Sequence, residues 1–241
     1  MQAPRDSWVT LPEAAPPYPA LLDFLDRRFP RVGRDTWRRR LASGAVLTAQ
    51  GEPVAEQTPY APRLRLRYRR DVAEEPAIPG DTRILHQDAH LLAADKPHFL
   101  PVTPSGPWVN QCLLYGLMRR TGCADLAPLH RLDRETAGVV LFAVDRESRR
   151  RYGLLFRMGR VVRRYEAIAA LPPDGKREWD VSSRLEKGEP WFRMRETDGP
   201  PNARTRIRLI DTRGRWGRYA IAPATGKQHQ IRLHMARIGA P

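Results

Sequence analysis

A charged segment, residues 130–138, leads directly into an uninterrupted apolar run at residues 139–144. The run reads Val-Val-Leu-Phe-Ala-Val and predicts a buried strand. The segment before it reads His-Arg-Leu-Asp-Arg-Glu-Thr-Ala-Gly, which places the carboxylate of Asp133 at the edge of the predicted core. Burial of an uncompensated charge is costly, so this carboxylate must be paired or hydrogen-bonded. On these residues alone, Asp133 is either a catalytic carboxylate or a residue that caps a turn or pairs with a neighbouring arginine.

The overall charge indicates an anionic partner. The chain has 241 residues, with 42 Lys and Arg against 27 Asp and Glu, and its formal net charge is +15. Such an excess favours nucleic acid, because arginine pairs with phosphate and stacks on bases. The alternative is a basic protein without a polyanionic partner. We do not expect DNA as the partner, since no recognition helix with a dimerisation element stands out.

The two cysteines, Cys112 and Cys123, are too few for a disulfide scaffold or a four-ligand zinc site. No window approaches about 18 consecutive apolar residues, and the N-terminus leads into no apolar signal region. We therefore expect a cytoplasmic protein with reduced thiols, no membrane partner and no metal. A monomer is the default expectation.

Composition and periodicity divide the chain into four segments. Residues 1–17 are rich in Pro and Ala and predict a disordered tail. Residues 18–72 predict a small module with helices beginning near Leu21 and Arg34, followed by strands at residues 46–48 and 63–69. A linker is predicted at residues 73–82, and a larger domain at residues 83–241.

The larger domain predicts a mixed α/β class. We expect two strands joined by a turn within residues 84–97, and further strands at residues 139–144, 161–169, 203–210 and 219–223. Residues 172–202 predict a hairpin with long loops, and helices are expected at residues 111–120, at residues 145–160 and after Gly226. In the helix over 145–160, we expect Tyr152, Leu155 and Phe156 to face the core.

Residues 130–138 resemble the His-Arg-Leu-Asp-x-x-Thr-Ser-Gly motif of pseudouridine synthases of the RluA type, with Ala137 where that family usually has serine. Two further stretches are similar to motifs of the same family. Tyr165 follows Arg163 as in its basic-x-Tyr motif. Residues 226–234 resemble its Gly-Arg-Thr-His-Gln-Ile-Arg-x-His motif, with Lys and Gln in place of Arg and Thr.

The resemblance implies an α/β (α+β) catalytic domain with a long, bent, mainly antiparallel sheet and a central cleft. It also implies that the protein is an isomerase that converts uridine in ribosomal or transfer RNA to pseudouridine without a cofactor, with Asp133 as the catalytic residue. A carboxylate can act in this reaction as a covalent nucleophile or as a base at the ribose, and both roles stay open.

Further site residues follow from the same resemblance. It implies that Arg232 pairs with the catalytic aspartate, that Tyr165 contacts the target base and that Ile231 forms an apolar wall beside it. Considered alone, a tyrosine in a strand such as Tyr165 is more often a core residue. Arg131 lies two positions before Asp133 and faces the same side if the segment is extended, so we expect it to fill the space left by a flipped base or to hold a flanking phosphate.

Other basic residues are candidates for contacts to the RNA backbone, although a single arginine is more often an ordinary solvated charge. They are Arg38, Arg39, Arg149, Arg150 and Arg163. His229 and His234 have no neighbouring Cys or carboxylate that could complete a metal site. For both histidines we expect structural hydrogen bonds.

The sequence leaves one alternative for the N-terminal module and one for the function. The order helix, helix, strand, strand in residues 18–72 resembles the small RNA-binding module first described in ribosomal protein S-four, and the alternative is a basic extension with no RNA role. The rival to an enzyme is a non-catalytic RNA-binding or ribosome-associated protein with a degenerate synthase domain. Ala137 and the end of the chain at Pro241, earlier than in the family, favour the rival; Asp133, Tyr165 and Arg232 oppose it.

Overall fold

The structure, a computed structural model, describes residues 2–13, 18–72, 74–189 and 193–241. The chain divides into two compact units. The first is formed by Met1–Asp88 and Leu92–Leu141, and the second by Ala89–Leu91 and Phe142–Pro241. Within the described ranges, every helix is too short or too polar to cross a membrane.

The first unit begins with two helices and a small sheet. Its elements are β1 (Ser7–Thr10), α1 (Leu21–Arg28), α2 (Arg34–Ala42), β2 (Val46–Thr48) and β3 (Arg65–Tyr68). The three strands form an antiparallel sheet in the order β1-β3-β2. The apolar stripes of the helices pack on it and form one core, which includes Leu21, Phe24, Leu25, Trp37, Leu41 and Leu66.

The predicted disorder of residues 1–17 is wrong for the segment around β1. This strand pairs with β3 from Ser7 to Thr10, and Leu11 is buried in the core at 1% exposure. A strand added to an existing edge takes its main-chain hydrogen bonds from its partner, so it needs little apolar content of its own. Residues 14–17 of the predicted tail lie outside the described residues.

The order of α1, α2, β2 and β3 is the one predicted for residues 18–72. The likeness to the module of ribosomal protein S-four stays a prediction, as do the boundaries of the four segments. In the predicted linker, the buried carboxylate of Glu75 accepts the main-chain N–H groups of Asn110 at 2.9 Å and Gln111 at 2.7 Å. That segment is therefore anchored to the first unit.

The rest of the first unit contains a helix and most of a four-stranded sheet. Its elements are β4 (Arg83–Gln87), β5 (Leu91–Lys96), α3 (Leu113–Thr121), β6 (Ala127–Pro128) and β7 (Gly138–Ala143), with the strand order β4-β5-β7-β6. The two strands predicted within residues 84–97 are confirmed as the antiparallel pair β4 and β5. The predicted buried strand after Asp133 is confirmed as β7, whose last residues, Phe142 and Ala143, are fully buried.

The second unit is a five-stranded antiparallel sheet with two helices. After α4 (Arg146–Arg157) come β8 (Tyr165–Ala170), β9 (Glu178–Lys187), β10 (Met194–Thr197), β11 (Ala203–Arg213), β12 (Trp216–Pro223) and α5 (Gln230–Arg237). The strand order is β10-β9-β11-β12-β8. One sheet face forms a core with Met235 of α5, and alternate residues of β11 and β12 face solvent.

Helix α4 differs from the prediction in its exposure. Asp145 caps its start by accepting the Ser148 N–H at 2.8 Å. Leu154 is 46% exposed and Leu155 is 38% exposed, so the prediction that Leu155 faces the core is wrong. Ser148 in the first turn is its buried residue, and Tyr152 and Phe156, the other two residues predicted to face the core, are half-buried.

The mixed α/β class and the antiparallel sheets predicted from the sequence are confirmed. The hairpin predicted within residues 172–202 is confirmed as β9 and β10, whose connection includes residues outside the described ranges. The central cleft stays a prediction.

Candidate active site

Asp133 lies on a turn between β6 and β7. The main-chain N–H of Thr136 donates to the carbonyl of Asp133 at 3.1 Å and closes the turn. Asp133 is half-buried, whereas Arg131 is exposed. The carboxylate is therefore placed by the backbone of a short, ordered turn that leads into a buried strand.

Lys96 holds this turn from the end of β5. Its side chain is fully buried, and its Nζ donates to the carbonyls of Pro97 at 3.0 Å, Leu100 at 2.7 Å and Arg134 at 3.1 Å. Burial lowers the pKa of Lys96 to about 8, and the negative charges of Glu135 and Asp133 act in the opposite direction. One ammonium group thus satisfies three carbonyls and contributes a positive charge to the surroundings of Asp133.

Two histidines add main-chain contacts around the same turn. His98 Nδ1 donates to the carbonyl of Glu135 at 2.7 Å. His130 Nε2 lies 3.1 Å from the main-chain nitrogen of Leu141, and since an amide N–H can only donate, this ring nitrogen carries no proton. Leu129 also donates its N–H to the carbonyl of Leu141 at 2.9 Å. These contacts tie both ends of the turn to β7 and to the loop after β5.

The side chain of Arg134 points to local partners. Its guanidinium donates to Glu135 Oε1 at 2.9 and 3.0 Å and lies 4.8 Å from the ring centroid of Trp108. Its charge is therefore already opposed by a carboxylate. Arg131, the predicted base-flipping residue, is the more exposed of the two arginines.

A second group of predicted site residues lies in the second unit. Tyr165 begins β8 and pairs with Ile221 of β12, and its half-buried ring packs against the core of this unit. Ile231 is half-buried against the same core, while Arg232 on α5 is exposed. The predicted pairing of Arg232 with Asp133, and the predicted contact of Tyr165 with the base, stay predictions.

A buried polar network fixes α5 on the sheet and so positions Ile231 and Arg232. Gln230 Nε2 donates to Thr205 Oγ1 at 2.8 Å and to the carbonyl of Arg204 at 3.0 Å. Thr205 Oγ1 is also 2.7 Å from His234 Nδ1. Gln230, Thr205 and His234 are each exposed by 3% or less. Because buried polar groups are costly when unsatisfied, this network fixes the position and orientation of α5 on the sheet.

The structural role predicted for His234 is confirmed. Its Nε2 lies 3.1 Å from Ser183 Oγ, and burial lowers its pKa, which favours the neutral ring. A neutral His234 that accepts the Thr205 hydroxyl proton at Nδ1 donates from Nε2 to Ser183. His229 has a left-handed backbone with φ of 54° at the start of α5. Among the described residues, no group of three His, Cys, Asp or Glu side chains could hold a metal ion.

The arginines predicted to contact the RNA backbone have different surroundings. Arg38 donates to Glu56 at 3.0 Å and to Asp35 at 2.9 Å, and Arg150 donates to both carboxylate oxygens of Glu147. Arg39 donates to a threonine hydroxyl, and Arg149 is exposed on α4. These neighbouring carboxylates weaken the electrostatic attraction of Arg38 and Arg150 for an RNA phosphate.

Arg163 is held close to the loop before α5. Its NH2 lies 3.5 Å from the carbonyl of Ala224, and a Cβ at Gly226 would collide with its NH1. Gly226 therefore leaves the space that the guanidinium occupies. Arg163 contributes to the packing of this loop, in addition to any contact with RNA.

Sequence reasoning missed the residues that support the site. Lys96 is a charged residue at the end of an apolar strand, and this contrast was the available signal. Gln230 lies inside the motif of residues 226–234, at the start of α5, but its partner Thr205 is a distant strand residue, so no local pattern joins them. Ser183 carried no signal for the same reason.

Comparison with known proteins agrees with these features. A family model described as RNA pseudouridylate synthase matches residues 90–237. An uncharacterized RNA pseudouridine synthase of Synechocystis is 29% identical over 92% of this chain and 76% of its own length. The tRNA pseudouridine synthase C of Vibrio vulnificus is 28% identical over 66% of this chain and 70% of its own length.

A solved structure of a pseudouridylate synthase is also similar to this chain. Human RNA pseudouridylate synthase domain containing 4 is 26% identical, with a TM-score of 0.50 over 66% of this chain and 65% of that one. The chain spans about half the length of several curated relatives, among them the human mitochondrial pseudouridylate synthase RPUSD4, of which it covers 47%. Since the family model matches more than half of the chain, the chain belongs to the RNA pseudouridylate synthase family.

Proposed function

We propose that this protein is an RNA pseudouridine synthase that isomerises specific uridines in structured ribosomal RNA or transfer RNA, with Asp133 as its catalytic residue. The observation that carries the proposal is the turn of Asp133, closed by Thr136 and held through main-chain carbonyls by Lys96 and His98. The fully buried Lys96 positions the backbone beside the carboxylate of Asp133. This supports a catalytic role for Asp133, because a catalytic group must be held in a precise position.

The reaction breaks the bond between N1 of uracil and C1′ of the ribose, turns the base, and forms a bond from C5 to C1′. The hydrogen at C5 is then lost as a proton. Asp133 as a nucleophile would hold the ribose through a covalent bond, and as a base it would take a proton from the ribose. Both roles need the carboxylate in its ionised form.

The remaining roles are carried over from the family motifs to the matching residues. Arg232 pairs with the carboxylate of Asp133 and fixes its orientation, and Ile231 borders the base. Tyr165 contacts the uracil, and Arg131 takes the space that the flipped nucleotide leaves. The network of Gln230 supports the roles on α5, because it orients the helix that carries both Ile231 and Arg232.

The charge supports RNA as the substrate. A net charge of +15 favours a polyanion, and exposed arginines such as Arg39 and Arg149 can neutralise backbone phosphates. We further propose that the protein acts as a cytoplasmic monomer.

Tritium release from RNA labelled at uridine C5 tests the proposal, with ribosomal RNA and transfer RNA assayed separately. We expect the wild-type protein to release tritium from one class, and Asp133→Asn to be slower by about 100-fold or more. Asp125→Asn is the matched control, because it makes the same change at an exposed aspartate of the same unit. RNA binding by all three proteins is measured in parallel.

Two outcomes would overturn the proposal. Binding of RNA without tritium release by the wild-type protein would favour a non-catalytic RNA-binding protein. Equal rates for Asp133→Asn and the wild-type protein would remove Asp133 from the chemistry while leaving the enzyme class intact.

A further inference from the structure

The hairpin formed by β11 and β12 carries an apolar pocket of about 330 Å³ on the solvent-facing side of the second unit's sheet. It contains none of the residues that the family motifs place at the reaction. It is lined by Ile168, Asp211, Thr212, Arg213, Trp216, Gly217 and Arg218. Two large apolar side chains in it face solvent, Ile168 at 76% exposure and Trp216 at 45% exposure.

A β-bulge in β11 builds one side of this pocket. Before the bulge, alternate residues such as Leu209 face the core; after it, Asp211 pairs with Arg218 and Arg213 pairs with Trp216. The shift between Leu209 and Asp211 turns Asp211 and Arg213 toward the solvent-facing side. Without this register shift, strict alternation from Leu209 would turn both charged side chains into the core.

The neighbouring strand β8 supplies the other side. Ala170 is the direct partner of Trp216, and Ile168 is the direct partner of Arg218. The small side chain of Ala170 leaves the indole uncovered, and Ile168 lies diagonal to it. The result is a flat aromatic surface with an aliphatic neighbour, open to solvent.

The rim of the pocket is basic. Arg213 and Arg218 line it, and the guanidinium of Arg215 lies 4.9 Å from the ring centroid of Trp216. Asp211 is the acidic residue of the lining, and Arg218 also lies 4.0 Å from Glu166. The positive charges complement an anion, while the floor of the pocket is apolar and aromatic. A ligand with both a flat base and phosphate groups meets both conditions.

We propose that this pocket binds one unpaired nucleobase of the RNA, which stacks on Trp216 while Arg213 and Arg218 contact its flanking phosphates. The proposal rests on the proposed function only in taking RNA as the partner. The bound base is not the uridine that reacts, because Asp133 is not among the residues of the pocket. The pocket therefore recognises substrates that contain a single-stranded loop or an extruded base.

Photo-crosslinking locates the base directly. RNA of the class that binds, substituted with 5-iodouridine, is irradiated with the wild-type protein, and the modified peptides are mapped by mass spectrometry. We expect an adduct on Trp216. Absence of any adduct within residues 211–218, although the RNA is bound and crosslinks elsewhere, would overturn the proposal.

Affinity separates base stacking from a general apolar contact. We expect Trp216→Leu, which keeps apolar bulk but loses the aromatic face, to raise the Kd for RNA about fivefold or more, and Trp216→Phe to retain most of the affinity. Trp8→Leu is the matched control, because Trp8 is 46% exposed with the Arg65 guanidinium 4.3 Å from its ring centroid. An unchanged Kd for Trp216→Leu would contradict the proposal.

The tritium assay distinguishes this proposal from the proposed function. A wild-type protein that releases no tritium but crosslinks at Trp216 would contradict the enzyme and support the base-binding pocket. A protein that releases tritium, yet shows no crosslink at Trp216 and no change of Kd in Trp216→Leu, would retain the enzyme and overturn the pocket.

Discussion

Lys96 Nζ donates a hydrogen bond of 3.1 Å to the main-chain carbonyl of Arg134, the residue that follows Asp133. The two residues are far apart in sequence, yet the lysine side chain is fully buried at this contact. The position of the Asp133 turn therefore depends on a cation that is not part of the motif itself.

Replacement of this cation tests its role. We expect Lys96→Met to leave the carbonyls of Pro97, Leu100 and Arg134 without their donor and to lower the free energy of unfolding by about 1–3 kcal/mol. We also expect kcat for tritium release to fall while the Kd for RNA changes little, because the turn of Asp133 loses its support. Urea unfolding and single-turnover assays measure the two effects. Lys187→Met, at an exposed lysine, is the control, and equal stability of the two variants would contradict the role of Lys96.

The pKa of Lys96 predicts a pH dependence of stability. In the folded protein this pKa is lowered to about 8 from its ordinary value of 10.5, so above pH 8 the unfolded chain binds more protons than the folded one. Stability from this group therefore rises with pH between about 8 and 10.5, by at most about 1.4 kcal/mol per pH unit. Burial raises the pKa of Cys112 to about 11, which acts in the opposite direction above its ordinary value of 9.0.

The difference between the wild-type protein and Lys96→Met from pH 8 to 9 isolates the lysine, because Cys112 is present in both proteins. Urea unfolding of the wild-type protein and Lys96→Met across this window measures the difference. We expect the wild-type curve to rise relative to the variant, and parallel curves would exclude a lowered pKa at Lys96.

A side chain added at Gly217 of β12 would crowd the core of the second unit. An ideal Cβ at this position would lie 2.6 Å from Leu209 Cδ1 and 2.9 Å from the ring of Tyr219, which is fully buried. The leucine methyl can move, but the ring cannot, because its hydroxyl donates to the carbonyl of Ala170 at 2.8 Å. We expect Gly217→Ala to lower the free energy of unfolding by about 1–3 kcal/mol.

Gly153 provides the control for this change. It lies inside α4, with nothing within 4 Å of the added Cβ, so Gly153→Ala is expected to stabilise the protein by about 0.5–1 kcal/mol. Denaturant unfolding of both variants gives the comparison. Shifts of the same sign in the two variants would contradict the packing described for Gly217.

Two adjacent arginines of α4 test the predicted contacts to the RNA backbone. Arg150 is opposed by Glu147, whereas Arg149 is exposed on the same helix. If Arg149 contacts a phosphate, Arg149→Gln should reduce the slope of log affinity against log salt by about 0.7, and Arg150→Gln should reduce it less. Filter binding at several salt concentrations measures the slopes. Equal slopes for Arg149→Gln and the wild-type protein would remove Arg149 from the RNA contact.

The sequence predicted those parts of the molecule that short segments determine. The buried strand after Asp133 and the helices α1 and α2 follow from local periodicity, and the hairpin of β9 and β10 follows from the polar, Pro- and Gly-rich composition of its segment. All of these are confirmed. The family was also predicted from local motifs and is confirmed by the match over residues 90–237. These features depend on neighbouring residues, which is the information that one sequence carries most directly.

The features that the prediction missed depend on distant partners. Strand β1 exists because β3 offers it an edge. Leu155 is exposed because the burial of a helix face depends on what packs against it, which helical spacing alone does not determine. The bonds from Gln230 to Thr205, and from Lys96 to Arg134, join residues that no periodic pattern connects. The roles of Asp133, Tyr165 and Arg232 stay predictions from the motifs.

The hydrogen bonds from Lys96 and His98, and the one that closes the Asp133 turn, attach to the main chain of the turn, at the carbonyls of Asp133, Arg134 and Glu135 and the N–H of Thr136. A peptide group is the same whichever side chain it carries. The identity of the side chains along the turn can therefore drift without loss of these attachments. Ala137, the one departure from the family's usual residue in this motif, removes a hydroxyl that none of these bonds uses. Substitutions along the turn can therefore change the surroundings of the Asp133 carboxylate one at a time, while the main-chain bonds keep the carboxylate in place.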